Sequence, residues 1–463
     1  MKILEGKREI QPWFEAVQIS KTSSRLSGVI FFLLCLTLVF STVDFGAVDQ
    51  GSWVVLTIIT FAIVALWFTD TWQEQAFLVN RHVLLLPLLG LILISILQIL
   101  PLFQYTIPVG LIADPARATI SLDPYATRLF IGRLVIYLVF FAAAITFLNN
   151  NRRLRKIILL IVIFGCVMAF FGILQRLANP DAIYGLRGTP QSIPFGPFVN
   201  QHHFAAFMEM TAGITFGFLF SNAVRRDKRL LIAIAAIVMG IATVMTSSRG
   251  GILSFAGTLI FALTANFMAQ PSENIDANSS DGRQQKIAAI AGALALIILI
   301  FGIVLFLGAD SSLMRGIGLG GGDDVSSGRS HFWPIALQIF LDHPLFGAGF
   351  DSFGAAFTKY DSWPGTFRVE QAHNDYLQIL ADAGVVGFVC VAAYIYFLFR
   401  KGLGTITSSS DPFRRSAAVG ALAGCFGILI HSFFDFPLRT PSNAFFFLTL
   451  TAIAIVHIKP KRA

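Results

Sequence analysis

The chain has 463 residues, of which 55% are hydrophobic and only 13% are charged, and its formal net charge at pH 7 is +8. A soluble domain would carry roughly twice this charged fraction, so the composition excludes an ordinary soluble globular fold. The mean hydropathy is +0.72, and apolar residues fall in long runs such as 83–100 and 287–307. Runs of about 20 apolar residues match the bilayer hydrocarbon, where a lone segment satisfies its backbone amides only as a helix. The sequence therefore predicts an all-α polytopic membrane protein.

The apolar runs predict about twelve transmembrane helices. In chain order they are 26–41, 52–69, 83–100, 127–147, 156–175, 204–222, 229–246, 250–268, 287–308, 384–400, 415–434 and 442–458. The domains are then an N-terminal tail (1–25), helices one to nine (26–308), a large loop (309–383), helices ten to twelve (384–458) and a C-terminal tail (459–463). Loops 101–125 and 178–203 lie on the same side as the large loop, and we expect the chemistry there.

Positive charge alternates between successive loops. About two thirds of the 34 lysine and arginine residues lie in one set of mostly short segments, a positive-inside signature. These segments are the N-terminal tail, Arg81, 152–156, 225–229, Arg283 with Lys286, 400–401 with 414–415, and 459–462. Both termini are therefore predicted to be cytoplasmic. Because topology accounts for the basic charge, no nucleic-acid partner is implied.

The large loop is expected to contain two short helices. It begins with a glycine-rich stretch at 316–322. Trp333 and Pro334 then predict the start of a helix, because proline is favoured in a first turn and apolar residues recur at helical spacing after it. A second short helix is predicted from His373 to Ala383.

The basic residues on the loop side of the membrane are candidates for binding an anion. They include Arg128, Arg133, Arg176, Arg187, Arg249, Arg315, Arg329, Arg368 and Arg439. An arginine at membrane depth is costly and is usually retained for a polar cavity or an anion, and its planar fork suits phosphate oxygens. The alternative is that several of them only extend to the interface and that Arg249, in a Ser-Ser-Arg-Gly-Gly turn, is solvated.

His373 is the leading candidate for acid–base chemistry. A neutral imidazole accepts a proton near neutral pH, as deprotonation of a sugar hydroxyl requires. Asp375, two residues later, could orient the imidazole or cap a helix. The alternative is that His373 is an ordinary surface or core residue, and these residues alone identify no reaction.

Six short motifs, read together, resemble the O-antigen ligase and O-antigen polymerase superfamily of bacterial envelope glycosyltransferases. The motifs occur in the same order and at the same spacing as in this superfamily, over roughly residues 120–445. The first three predicted helices show little resemblance to it. The motifs are Gly-Pro-Phe-Val-Asn at 196–200 with His203-Phe-Ala, Ser-Arg-Gly-Gly at 248–251, Gly-Arg at 328–329 with Trp333, His-Pro-Leu-Phe-Gly-Ala-Gly at 343–349 with Phe353, His-Asn-Asp-Tyr-Leu at 373–377, and His-Ser-Phe-Phe-Asp-Phe-Pro-Leu at 431–438 with Pro441.

The resemblance implies a helical GT-C-type fold and an enzyme without metal or cofactor. Its donor would be an undecaprenyl-diphosphate-linked glycan, transferred with inversion on the periplasmic face of the inner membrane. The implied catalytic residues are His373, Arg249 and Arg329, with Arg133 grouped with Arg329 around the leaving diphosphate. Substrate contacts are expected from Arg128, Arg133, Asn200, His203, Asn374, Asp375 and Arg439. The sequence offers no convincing carboxylate cluster for Mg²⁺, since Asp323 and Asp324 lie beside the glycine-rich stretch.

Three activities remain open from the sequence. A ligase would transfer a finished polymer to lipid A-core, whereas a polymerase would extend a second lipid-linked glycan. Either enzyme would be embedded in the membrane and in contact with its lipids. A flippase or transporter of lipid-linked saccharides would also explain many helices and buried arginines. It explains His373 in an external loop less well, and the internal repeats that would favour a transporter are not evident.

Overall fold

The computed structural model describes residues 24–75, 80–105, 116–190, 192–221, 223–268, 328–363 and 368–456. Its α-helices, in chain order, are α1 Arg25–Val43, α2 Gln50–Glu74, α3 Leu85–Ile99, α4 Pro124–Phe147, α5 Asn151–Ala178, α6 Gln201–Leu219, α7 Arg226–Met245, α8 Arg249–Met268, α9 Arg329–Asp342, α10 Phe353–Phe357, α11 Asp375–Ser408, α12 Pro412–His431 and α13 Pro441–Ile455. Short 3-10 helices lie at Phe45–Ala47 and Pro437–Arg439.

Sheet structure in the described residues is confined to two small antiparallel pairs in loops. Strands β1 (Phe103–Tyr105) and β2 (Ala116–Ala118) pair with Gln104 opposite Arg117. Strands β3 (Ala182–Ile183) and β4 (Arg187–Gly188) pair with Ile183 opposite Arg187. The chain is therefore an all-α protein, as predicted.

Eight of the described helices are long and apolar enough to cross a membrane: α1, α2, α4, α5, α7, α8, α11 and α12. Helices α3 and α13 are apolar but shorter, with 15 residues each. Almost every residue of α6 is buried, including Glu209, so this helix lies inside the bundle. These helices confirm the all-α polytopic class. The predicted span 287–308 and the glycine-rich stretch lie outside the described residues.

Helices α6 and α12 pack backbone against backbone. A Cβ atom added at Gly213 would overlap the backbone of Gly424, and one added at Gly217 would overlap the backbone of Gly420. Small residues permit this close approach, which supplies van der Waals contact where lipid gives no hydrophobic driving force. Because Gly213 meets Gly424 and Gly217 meets Gly420, the two helices are antiparallel, and the start of α6 lies beside the end of α12.

Two helices in the large loop differ from the sequence predictions. Helix α9 begins at Arg329 rather than at Trp333, after Gly328 in the left-handed region (φ +81°), and Pro334 lies inside it. The predicted helix from His373 to Ala383 is not a separate element. It is the first part of α11, which continues to Ser408 through a non-helical Gly384 (φ +61°).

Contacts connect the predicted cytoplasmic loops at one end of the bundle. The Arg153 guanidinium donates to Ser27 Oγ at 2.6 Å, and Arg155 lies 4.0 Å above the Phe413 ring. The Arg414 guanidinium donates to the carbonyl of Ala454 at 3.0 Å. This end therefore gathers the starts of α1, α5 and α12 with the end of α13.

Thiol labelling from outside the cell should distinguish the two ends. Thr358 and Ser410 are both exposed but lie in segments predicted to face opposite sides. In a background with the four native cysteines replaced by alanine, Thr358→Cys should react with a membrane-impermeant maleimide on intact cells. Ser410→Cys should react only after permeabilisation. The opposite labelling pattern would contradict the predicted orientation.

Candidate functional site

The turn between α12 and α13, residues 432–440, is where the candidate residues meet. Side chains from two distant segments and from the adjoining start of α13 donate to its backbone carbonyls, each satisfying a backbone polar group. The Asn374 amide donates to Phe433 O at 3.1 Å, Arg329 Nε to Phe434 O at 2.8 Å, and the Asn443 amide to Pro437 O at 3.2 Å. We call this segment the 432–440 turn.

His373 is held against the 432–440 turn by Asp435. The distance between His373 Nδ1 and Asp435 Oδ1 is 3.0 Å, and the rings of Phe332 and Phe436 lie 5.7 and 4.8 Å from the imidazole. Asp435 is 1% exposed, whereas the His373 side chain is 33% exposed. An ionised carboxylate only accepts, so Nδ1 carries the hydrogen in the neutral imidazole, and Nε2 is left as a proton acceptor.

Asp435 remains ionised at neutral pH. Burial raises the pKa of its carboxyl. The hydrogen bond from His373 and the nearby imidazoles of His202 and His203 lower this pKa by more than burial raises it, so the pKa lies below its ordinary value. A lowered pKa means that the carboxylate persists in mild acid. The negative charge behind His373 is therefore permanent at working pH.

Asn374 and Asp375 have other contacts. Asn374 Oδ1 accepts from the backbone amides of Tyr376 and Leu377, both at 3.0 Å, and so caps α11. Asp375 Oδ2 accepts from Ser432 Oγ at 2.8 Å. Of the two roles considered for Asp375, capping belongs to Asn374 and orientation of His373 to Asp435.

The start of α6 brings further histidines to the same region. Asn200 caps α6 by accepting from the His202 amide at 2.8 Å. His202 Nδ1 lies 2.8 Å from Ser248 Oγ, and His203 Nδ1 lies 2.7 Å from Thr440 Oγ1. His203 thus contacts the 432–440 turn directly, whereas Asn200 acts on the backbone of its own helix.

Arg329 and Arg249 lie near Phe434, the residue before the partner of His373. Arg329, partly buried, bonds to the carbonyl of Phe434, the residue before Asp435. Arg249 is exposed and begins α8, and a Cβ on the following Gly250 would lie 2.9 Å from Phe434 Cβ. The Arg329 guanidinium therefore contacts the turn itself, whereas Arg249 precedes a glycine that lies close to it.

Arg133 and Arg439 form a second group, joined by Asp351. Asp351 bridges them, with its Oδ2 3.2 Å from Arg133 Nη1 and its Oδ1 3.0 Å from Arg439 Nη1. Arg439 also pairs with Asp382. The family resemblance implied that Arg133 is grouped with Arg329; in the structure Arg133 is joined to Arg439 through Asp351. Arg128 is exposed, five residues before Arg133 and so about 140° away around α4.

A cavity of about 340 Å³ opens beside this second group. Its polar end is lined by Arg133, Arg439, Asp351, His203 and Asp375. The rest of its wall is mostly apolar and comes from α3, α4, α11 and α13, with Leu88, Leu91, Leu134, Val391, Tyr394, Ile395, Phe447 and Leu448. Phe436 lines the cavity and also contacts His373. The cavity therefore joins a charged end, next to the histidine, to an apolar interior.

The family comparison identifies a domain within the chain. Residues 234–392 match the family model described as O-antigen ligase. The chain carries an O-antigen ligase domain. The match covers about a third of the chain and confirms the resemblance read from the sequence motifs. No curated protein matches the chain.

The O-antigen ligase domain contains only part of the candidate site. Arg249, Arg329 and His373 lie within the matched residues, whereas Arg133, His203, Asp435 and Arg439 lie outside them. Helices α4 and α6 and the 432–440 turn supply the rest. In the described parts of the chain, no group of three or more histidine, cysteine or acidic residues is arranged to hold a metal ion.

Sequence reasoning missed Asp435, Asp351 and Asp382. Asp435 lies in the quoted motif at 431–438, so its position between phenylalanines was a usable signal. Asp351 and Asp382 gave no comparable signal, because their partners are far away in the chain.

Changing Asp435→Asn should lower glycan transfer by about 10²-fold or more. The amide NH₂ can donate to His373 Nδ1, which favours the tautomer with the hydrogen on Nε2 and removes the proton acceptor. The matched control is Asp361→Asn. Asp361 forms a similar pair with His331 at 2.9 Å, apart from the 432–440 turn. Transfer by purified proteins of equal thermal stability is the measurement. Equal activity of both variants and wild type would remove Asp435 from the mechanism.

Proposed function

We propose that the protein is a metal-independent, inverting glycosyltransferase of the O-antigen ligase type. It would move a glycan from an undecaprenyl-diphosphate-linked donor to a hydroxyl of lipid A-core, on the periplasmic face of the bacterial inner membrane. The observation that carries this proposal is the His373–Asp435 pair, which lies beside a cavity whose polar end has two arginines and whose interior is apolar. The O-antigen ligase domain supports ligase or polymerase chemistry for this site.

The cavity suits an amphipathic anion. Arg133 and Arg439 present guanidinium groups at its polar end, and such groups match diphosphate oxygens in shape and charge. The aliphatic and aromatic wall between α3 and α11 suits a prenyl chain, whose burial there removes no polar contact. A lipid-linked diphosphate has a charged diphosphate joined directly to an apolar prenyl chain, which matches the polar end and the apolar interior of the cavity.

His373 would act as the general base. The acceptor hydroxyl attacks the anomeric carbon from the face opposite the diphosphate, so the configuration is inverted. The bond from that carbon to the phosphate oxygen breaks, and its electron pair leaves with the diphosphate. The hydroxyl proton passes to His373 Nε2, and the Asp435 carboxylate stabilises the resulting imidazolium through Nδ1.

Arg249 and Arg329 would stabilise the charge that develops on the leaving diphosphate. Fixed cations aimed at developing charge usually contribute the largest share of catalysis. Arg329 is held by the Phe434 carbonyl, next to Asp435, and so is oriented before substrate arrives. Permanent guanidinium charge can fill the role that a metal ion fills in other transferases.

A polymerase remains the alternative because the same site could use a second lipid-linked glycan as acceptor. The O-antigen ligase domain supports both activities equally. A flippase of lipid-linked saccharides needs no general base, and the buried Asp435 behind His373 favours an enzyme.

Reconstitution in proteoliposomes with a lipid-linked oligosaccharide and lipid A-core separates these functions. We expect glycan attached to lipid A-core in wild type and a loss of about 10²–10⁴-fold in His373→Ala. The variant should still bind the donor, because arginines hold the diphosphate. A longer lipid-linked chain would indicate the polymerase, and translocation without a new glycosidic bond would contradict the enzyme.

A further inference from the structure

Asp351 occupies the arginines that the proposed donor needs. Each of its carboxylate oxygens pairs with a different guanidinium, Arg133 at 3.2 Å and Arg439 at 3.0 Å. Arg439 has a second partner, Asp382. Two arginines and two aspartates together carry no formal charge. These four ion-paired side chains are therefore electrically neutral together, and Asp375, which also lines this end of the cavity, adds no positive charge, so the site does not by itself attract an anion.

The two aspartates differ in their freedom to move. Asp382 is fully buried inside α11, and its Oδ1 also accepts from the Gln378 amide at 3.0 Å. Asp351 is 22% exposed, lines the cavity and belongs to the loop before α10. Asp382 is therefore a fixed partner, whereas Asp351 is accessible to a ligand that enters the cavity.

The backbone at Asp351 has an uncommon conformation. Its φ of +61° lies in the left-handed region, which aspartate and asparagine adopt more often than other residues with a side chain. Gly349, two residues earlier, also has positive φ (+112°). Hydrogen bonds of the buried Phe350 and Ser352 hold the backbone on either side of Asp351, whereas its side chain is held by the ion pairs with Arg133 and Arg439. Loss of these ion pairs would therefore free the Asp351 side chain.

We propose that Asp351 is a specificity-determining residue, an internal counter-ion that a lipid diphosphate displaces and that monoanionic phospholipids do not. This inference rests on the proposed function, in which the donor diphosphate binds at Arg133 and Arg439. When Asp351 leaves, the two arginines and Asp382 have a net charge of +1. The incoming head group then meets two guanidinium groups and one fixed carboxylate.

The selectivity follows from the number of charges and oxygens. A phosphodiester lipid has one negative charge and would replace the one negative charge of the carboxylate, so the exchange gives little net binding free energy. A diphosphate has more than one negative charge and more acceptor oxygens, so it can pair with both guanidinium groups at once. Monoanionic lipids are abundant in membranes, and without Asp351 they would occupy Arg133 and Arg439.

Competition between lipids in nanodiscs tests this role. The probe is a polyprenyl diphosphate, titrated into protein in phosphatidylcholine nanodiscs with increasing phosphatidylglycerol. In wild type we expect an apparent Kd that hardly changes with phosphatidylglycerol. In Asp351→Asn we expect phosphatidylglycerol to weaken probe binding by about tenfold, because the lipid now takes the unoccupied arginines. Asparagine is chosen because it keeps the shape and tolerates positive φ.

The controls separate this inference from the proposed function. Asp49→Asn removes a carboxylate from an exposed pair with Arg187 and should behave as wild type. Asp351→Gly, which accepts positive φ without strain, should reproduce the effect if the asparagine variant is unstable. If wild type does not bind the probe, the proposed function fails and this inference fails with it. If wild type binds and both Asp351 variants resist phosphatidylglycerol as it does, only the role of Asp351 is overturned.

Discussion

The close packing of α6 against α12 is the constraint on which the site depends. Gly213 and Gly217 meet Gly420 and Gly424 without side chains between the backbones. An added methyl group would push the two helices apart, and close-packed interiors tolerate such overpacking poorly. The start of α6 carries His203, and the end of α12 leads into the 432–440 turn. Separation of the helices would therefore move the wall of the cavity and the carboxylate of Asp435 together.

The site is assembled from polar groups that the bilayer would otherwise disfavour. The two buried carboxylates pair with side chains from other segments of the chain: Asp435 with His373, and Asp382 with Arg439. Removing one member of such a pair leaves an uncompensated charge. Mutations at the 432–440 turn will therefore affect stability as well as activity, and matched pairs such as His331–Asp361 are needed as controls.

Local pattern was sufficient to predict most of the fold. A long apolar run has one stable form in lipid, so the all-α membrane class could be predicted from the apolar runs alone. The predicted ends of the helices were less accurate where one residue determines the boundary. Gly328 allows α9 to begin before Trp333, and Gly384 allows α11 to continue through a non-helical residue. His373 and the arginines could be named because their chemistry is rare in such a chain. Their partners could not, since Asp351 is 218 residues from Arg133 and no local pattern records that contact.

The most direct test of the account is a cryo-electron microscopy structure in nanodiscs with a polyprenyl-diphosphate-linked glycan. We expect phosphate density about 3 Å from the guanidinium groups of Arg133 and Arg439, and prenyl density between α3 and α11. The anomeric carbon should lie on the side of Phe436 that faces His373. Lipid density elsewhere on the protein, with the cavity empty and Asp351 still bridging both arginines, would contradict the account.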